Sequence, residues 1–272
     1  MRRQFLVGLI FFIGQRIVTS KPSKFFFLRS VCRIGNPPHE LSYVRNYRQI
    51  ARERRIDAEH FQPIYAGLRA RIRTYPYGYL KITDIATNSN ETIEPHTHPE
   101  QEFDYIELAG INQTIGIVEN ADKLKGKDAP SRARMMLRNG DVIASTVEGS
   151  LEKVALILDE FHGAIGSTGF FVLRPRTVTS GYLLALMKSI IIQEQLHCEA
   201  SGTILASVPA KSLRNIIVPN IPLGKRVEIE ALVQQSHTAW REARIMLEKA
   251  KLAVEIAIEH GEEEAIQSLK TD

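Results

Sequence analysis

After Gly224 and as far as about Leu269 the chain carries no proline and a single glycine, Gly261. Such a run predicts one helix of roughly 65 Å at ~1.5 Å per residue. Leu232, Ser236, Ala239, Ala243, Met246, Ala250, Ala253 and Ala257 step by four and three, the seam spacing of a coiled coil. Trp240, Leu247 and Val254 stand one position on, seven residues apart, so the apolar face is wide. A helix of this length cannot bury that face by itself and must lie against another long helix. The many alanines imply a close approach. The rest of the chain therefore has to supply one end of a rod, and the rod has to find a partner: a second copy or a second subunit.

At 272 residues the chain has room for one large domain or two smaller ones. With 44% apolar and 24% charged residues, the composition suits a packed core. The net charge of +4 is unevenly spread. Residues 1–73 carry 15 Lys/Arg against 4 Asp/Glu; residues 74–175 carry 9 against 15; residues 176–272 carry 11 against 12. A basic front end is compatible with a polyanionic partner. Cys32 and Cys198 share no metal-type spacing and suggest free thiols in a reducing, cytoplasmic setting.

Residues 1–40 read as a poorly structured extension. The apolar run Phe5–Ile13 after Arg2-Arg3 resembles a short signal peptide, but no clean cleavage site follows and it is too short to span a bilayer. Ile64, Leu68 and Ile72 make a helix stripe with Arg69, Arg71 and Arg73 placed outside it. Leu80–Ala86 alternates like a strand. Between Asn139 and Pro175 three apolar runs, Val142–Val147, Val154–Leu158 and Ile165–Leu173, are separated by turn residues, as sheet strands are. Gly181–Leu196 reads as a helix with Ser180 as a possible cap, and Val208–Ile221 ends in a short buried strand. The segment 122–138 is a basic island of six Lys/Arg against two Asp.

These motifs in this order resemble the specificity subunit of type I restriction–modification systems. They are Arg55–Pro63, Ala129–Arg134, Gly140–Val147, Ser167–Pro175, Ala200–Thr203 with Val218–Pro222, and then the long helix. The resemblance runs from about residue 45 to the C-terminus. It implies an α+β target recognition domain with an irregular twisted sheet over residues 41–222, followed over 223–272 by one long α-helix that pairs as a coiled coil. The usual member has two recognition domains and two antiparallel helices that space two DNA half-sites, so this chain resembles half a subunit.

The partners implied are double-stranded DNA, a methyltransferase subunit, a restriction/motor subunit, and a second copy or second half-subunit. Catalysis, with S-adenosylmethionine, ATP and Mg, would belong to those partners; this chain is expected to bind none of them and no metal. Charge and position within the resemblance single out Lys123, Lys125, Lys127, Arg132 and Arg134 for the DNA backbone. Lys153 and the hydroxyls of Ser145 and Thr146 are placed nearer the bases. The expected helix contacts are Leu232, Ala239, Trp240, Ala243, Met246, Leu247, Ala250, Ala253, Val254 and Ala257.

Two rivals stand beside this reading. His96, His98 and Glu102 resemble the first metal motif of cupins, although Glu152 occupies the place of the second motif's histidine. A plain coiled-coil scaffold without DNA contact is the other. Against an enzyme, the chain has no phosphate-binding loop and no glycine-rich dinucleotide fingerprint.

Overall fold

The computed structural model describes residues 44–202 and 205–270. The N-terminal extension expected over residues 1–40, and Cys32 within it, lie outside the described residues. Two helices come first, α1 (Tyr47–Glu53) and α2 (Pro63–Arg73). Asn46 caps α1 by accepting from the Arg48 amide. Proline opens α2, where its missing N–H costs nothing. The apolar face of α2 buries Tyr65, Leu68 and Ile72.

The stretch expected as one strand from Leu80 to Ala86 is instead three pieces: β1 (Tyr79–Lys81), a helical turn α3 (Ile82–Ile85) and β2 (Ala86–Asn88). Asp84 accepts from the Lys81 amide and closes the turn. Ile82 and Ile85, three apart, then share one buried side. The following strands are β3 (Glu102–Ile106), β4 (Ile111–Asn112), β5 (Ile117–Val118), β6 (Asp122–Lys125), β7 (Ala133–Met136), β8 (Val142–Ser145) and β9 (Val154–Leu156). The third apolar run of the 139–175 segment divides into β10 (Ile165–Ser167) and β11 (Phe170–Pro175).

Those two strands belong to different sheets. The order β6-β3-β10-β7 makes one sheet and β2-β11-β8-β9-β5-β4 the other, so the chain changes sheets at Thr168-Gly169. The six-stranded sheet is covered on both faces, which is why its strands are apolar throughout instead of alternating. Phe171, Leu173, Val142 and Ala144 point into a core shared with the helices. Phe170, Val172 and Ile143 point into a second core with Ile106, Leu137 and Ile157.

The helix expected over Gly181–Leu196 is two, α4 (Ser180–Met187) and α5 (Ile190–Glu199), broken at Lys188-Ser189. Ser180 does not cap α4; its hydroxyl donates to the Gly140 carbonyl at 2.8 Å. Strand β12 (Ile217–Pro219) pairs with β1. The long helix α6 runs Leu223–His260 and stops at Gly261, short of the expected Leu269. A second helix, α7 (Glu262–Lys270), doubles back along its last turns. Among the described residues no helix is long and apolar enough to cross a membrane.

Candidate nucleic-acid interface

The basic island sits on an edge strand and the loop after it. Lys123 and Lys125 lie on β6, opposite Asp104 and Glu102 of β3. Lys127 follows on a tight turn that requires glycine at 126, because a Cβ there would stand 2.2 Å from the His98 carbonyl oxygen and 2.3 Å from that of Pro95. The loop carrying His96 and His98 is thus the seat on which the basic turn rests. Lys125 and Lys127 share Glu100, at 3.1 and 3.2 Å. Arg134 pairs with Glu94 at 2.8 Å and donates from Nε to the Ser131 carbonyl. Lys123 and Arg132 are exposed and make no ion pair among the described residues. Surface pairs of this kind contribute little energy, so a phosphate can displace Glu100 or Glu94 at small cost.

The motif segments, distant in sequence, converge beside this island. The Thr168 amide donates to the Arg132 carbonyl at 2.8 Å. Thr146 donates to the Gly169 carbonyl from both its amide, at 2.8 Å, and its hydroxyl, at 3.0 Å. Val208 donates to the Thr146 carbonyl, and Glu148 to that of Ala206. Ser207 forms bridges with both Val147 and Ser201. Segments 130–134, 145–150, 167–169, 200–202 and 205–208 therefore make one continuous loop edge.

Within that edge the hydroxyls are not equivalent. Ser145 is fully buried, its Oγ 2.9 Å from Ser150 Oγ and accepting from the Val147 amide. It shapes the turn from inside. Lys153 spends its ammonium on the Leu108 carbonyl at 2.9 Å. Thr146 is half-buried, while Thr168, Ser131 and Ser201 are exposed. Sequence patterning had no means of ranking these hydroxyls, since a serine in an apolar run looks the same whichever way it faces.

Polar networks that the sequence did not reveal hold the edge in place. Arg55 donates to the carbonyls of Glu199, at 3.2 Å, and Ala200, at 2.7 Å, capping the C-terminus of α5. Asp57, 2.5 Å away, raises the guanidinium's pKa further by its hydrogen bond and keeps the arginine in place. Buried Glu199 accepts from Arg69 at 2.7 Å and Asn215 at 3.0 Å. Arg69, read as lying outside the helix stripe, therefore points inward. Farther along, Asp141 is 1% exposed and accepts from Arg174 at 3.0 and 3.1 Å, tying the Asn139–Asp141 turn to the end of β11.

Metal chemistry finds one gathering among the described residues. Ligand-type atoms of His60, Cys198 and Glu199 lie within 4.8 Å of one another. The guanidinium of Arg69 stands 2.7 Å from Glu199 and 3.7 Å from the Cys198 sulfur, filling the place a cation would take. Burial pushes the Cys198 thiol up to about 12, away from the thiolate a metal needs. His96, His98 and Glu102 form no such group, which leaves the cupin reading without a geometric basis.

Helix α6 is fastened at its N-terminal end. Glu230 accepts from the Tyr182 amide at 2.6 Å and the Thr179 hydroxyl at 2.5 Å, supplying the cap that α4 lacks. Val233 enters the main core. His237 donates from Nε2 to the Ile115 carbonyl at 3.1 Å. Beyond Trp240 the helix leaves the domain. Ala243, Met246, Leu247, Ala250 and Val254 are exposed, with Met246 at 68% and Val254 at 60%. Leu232, Ala239 and Trp240 are half-buried, Ala253 is buried and Ala257 is half-buried.

No protein-family model matches the chain, and no curated protein sequence matches it. Solved structures do. A structure describing complex assembly and conformational transition of a type I restriction–modification system superposes with a TM-score of 0.54 at 28% identity, covering 68% of this chain and 48% of that one. The HsdS subunit from Thermoanaerobacter tengcongensis superposes with a TM-score of 0.53 at 29% identity, covering 66% of this chain and 47% of that one. The fold is therefore similar to that of specificity subunits of type I restriction–modification systems, the family that the order of motifs resembles. The chain spans about half the length of the structures it matches, and its one mixed α+β body and one long helix are similar to half of such a subunit.

Proposed function

We propose that this chain is the address-reading half of a type I specificity subunit: it binds one half of a split DNA target and docks a methyltransferase subunit and a restriction/motor subunit. The observation that carries this reading is the convergence of four motif loops on one edge that includes Arg132, in a fold matched at 28–29% identity to type I restriction–modification structures. Lys123, Lys125, Lys127, Arg132 and Arg134 supply phosphate contacts. Thr146 and the exposed hydroxyls next to it present donors and acceptors to base edges. The chain performs no catalysis; S-adenosylmethionine, ATP and Mg act on the partner subunits, in the cytoplasm. The stripe on α6 takes the corresponding helix of a second copy or second half-subunit, because a split target needs two readers.

The test is the salt dependence of duplex DNA binding with the methyltransferase subunit present. Replacing Arg132 and Arg134 by alanine lowers the slope of log affinity against log salt by about one unit per lost phosphate contact. An unchanged slope removes this loop from the footprint. Absence of any binding by the unmodified complex favours the plain scaffold.

A further inference from the structure

The turn at Gly261 sets α7 against the stripe that α6 would offer a partner. Ala253 of the stripe and Ala265 of α7 are both 6% exposed, and Ile256 and Ala257 are half-covered. The buried residue on each of the two helices here is an alanine, and one face of a helix admits one neighbour at the 8–10 Å spacing of packed helices. Nearer the domain, Met246, Leu247 and Ala250 stay open. The stripe is thus free in its middle and faces α7 at its far end.

We propose that α7 is a built-in cover over the distal end of the pairing stripe, which swings about Gly261 when a second rod lies along α6. The proposal rests on the pairing reading above. Three features make the cover reversible. The surface it holds is small. Its sequence, Glu262–Lys270, is rich in good helix formers and continues a straight rod as readily as it forms a hairpin. The hinge is one residue, Gly261, at φ +99°, where a side chain is strained. A Cβ at Gly261 would meet nothing within 4 Å, so a substitution there acts through the backbone alone.

The experiment uses the full chain with spin labels at Leu252→Cys and Ile266→Cys, both exposed positions off the covered face, in a Cys32→Ser background. The hairpin gives a short distance in the dilute chain. Straightening separates the labels by fourteen residues, about 21 Å. The expected result is a short distance at low concentration that lengthens as sedimentation shows association. Gly261→Ala is expected to give the long distance at all concentrations and about tenfold tighter association. A distance that stays short in the associated state, or a Gly261→Ala variant that changes neither readout, overturns the cover and leaves pairing intact. Failure of every form to associate overturns pairing, and the cover with it.

Discussion

The two ends of α6 are one helix in two environments. From Leu223 to about Trp240 it is held by Glu230 on the start of α4, by Val233 in the core and by His237 on the Ile115 carbonyl. Arg226 adds bonds to the Ile221 carbonyl and Asn220, with its guanidinium 5.7 Å above the Tyr182 ring. From Arg241 to Leu252 every residue is exposed, including Ile245, Met246, Leu247 and Leu252. The docked end is fixed by a few directional polar contacts that set the angle at which the rod leaves the domain. The free end carries apolar surface with nothing in the described chain to cover most of it. The first is a joint, and the second is exposed apolar surface of the kind that marks interaction sites.

The largest effect expected from breaking this contrast is at the free end. Met246→Glu with Leu247→Glu places two carboxylates where a partner helix would pack. Self-association is expected to weaken by at least about a hundredfold, roughly 3 kcal/mol, in sedimentation, while the melting temperature of the dilute chain stays unchanged. A parallel drop in melting temperature would mean that this face is already packed within one chain.

At the joint the expectation is reversed. Glu230→Ala removes an acceptor from the first turn of α4 and should cost about 1–2 kcal/mol in thermal unfolding of the dilute chain. An unaltered melting temperature would show that the cap does not hold the rod.

A pH profile sharpens the same contrast through two titrating groups. Burial lowers the pKa of His237, against the opposing influence of its bond to Ile115, so the folded chain holds fewer protons on it than the unfolded chain. Its stabilising contribution is full above the ordinary value of about 6.5 and is lost as pH falls from there through the depressed folded value. Lys188, which donates to the Gln113 carbonyl on the same 113–116 loop, is pushed down to about 8 by burial. Because the unfolded lysine holds its proton to higher pH, stability rises between about 8 and about 10.5, by on the order of 3 kcal/mol across that window. His237→Gln should flatten the acid limb and Lys188→Met the alkaline one in chemical denaturation. A profile unchanged by either variant would place both groups outside the joint.

How much of this was legible in the sequence depends on the distance over which each feature is determined. The long helix, the apolar strands of the 139–175 segment and the order of motifs are local patterns, and the fold matches them. What failed was set by contacts across the fold. Ile165–Leu173 looks like one strand, but Thr168-Gly169 carries it from one sheet to another. Leu80–Ala86 alternates in writing, yet Asp84 closes a helical turn through it. Gly261 is visible as the one glycine after Gly224 in the run, but an isolated glycine inside a helix is ordinarily tolerated, and only its left-handed backbone reveals the turn. In the candidate site, charge patterning located the basic island, whereas the burial of Ser145 and the internal bond of Lys153 depend on which way side chains face. Arg55 and Glu230, which hold the edge and the rod, act on partners tens of residues or more away and leave no local trace.

The central claim is that a DNA-reading domain carries a rod whose exposed stripe requires a second rod. Sedimentation of the full chain over a wide concentration range, alone and with the methyltransferase subunit, tests it most directly. The account predicts a concentration-dependent species at twice the 30.7 kDa chain mass, or two copies of the chain in the complex, abolished by Met246→Glu with Leu247→Glu. A chain that stays monomeric at every concentration, and enters the complex in a single copy with no second half-subunit, would contradict it.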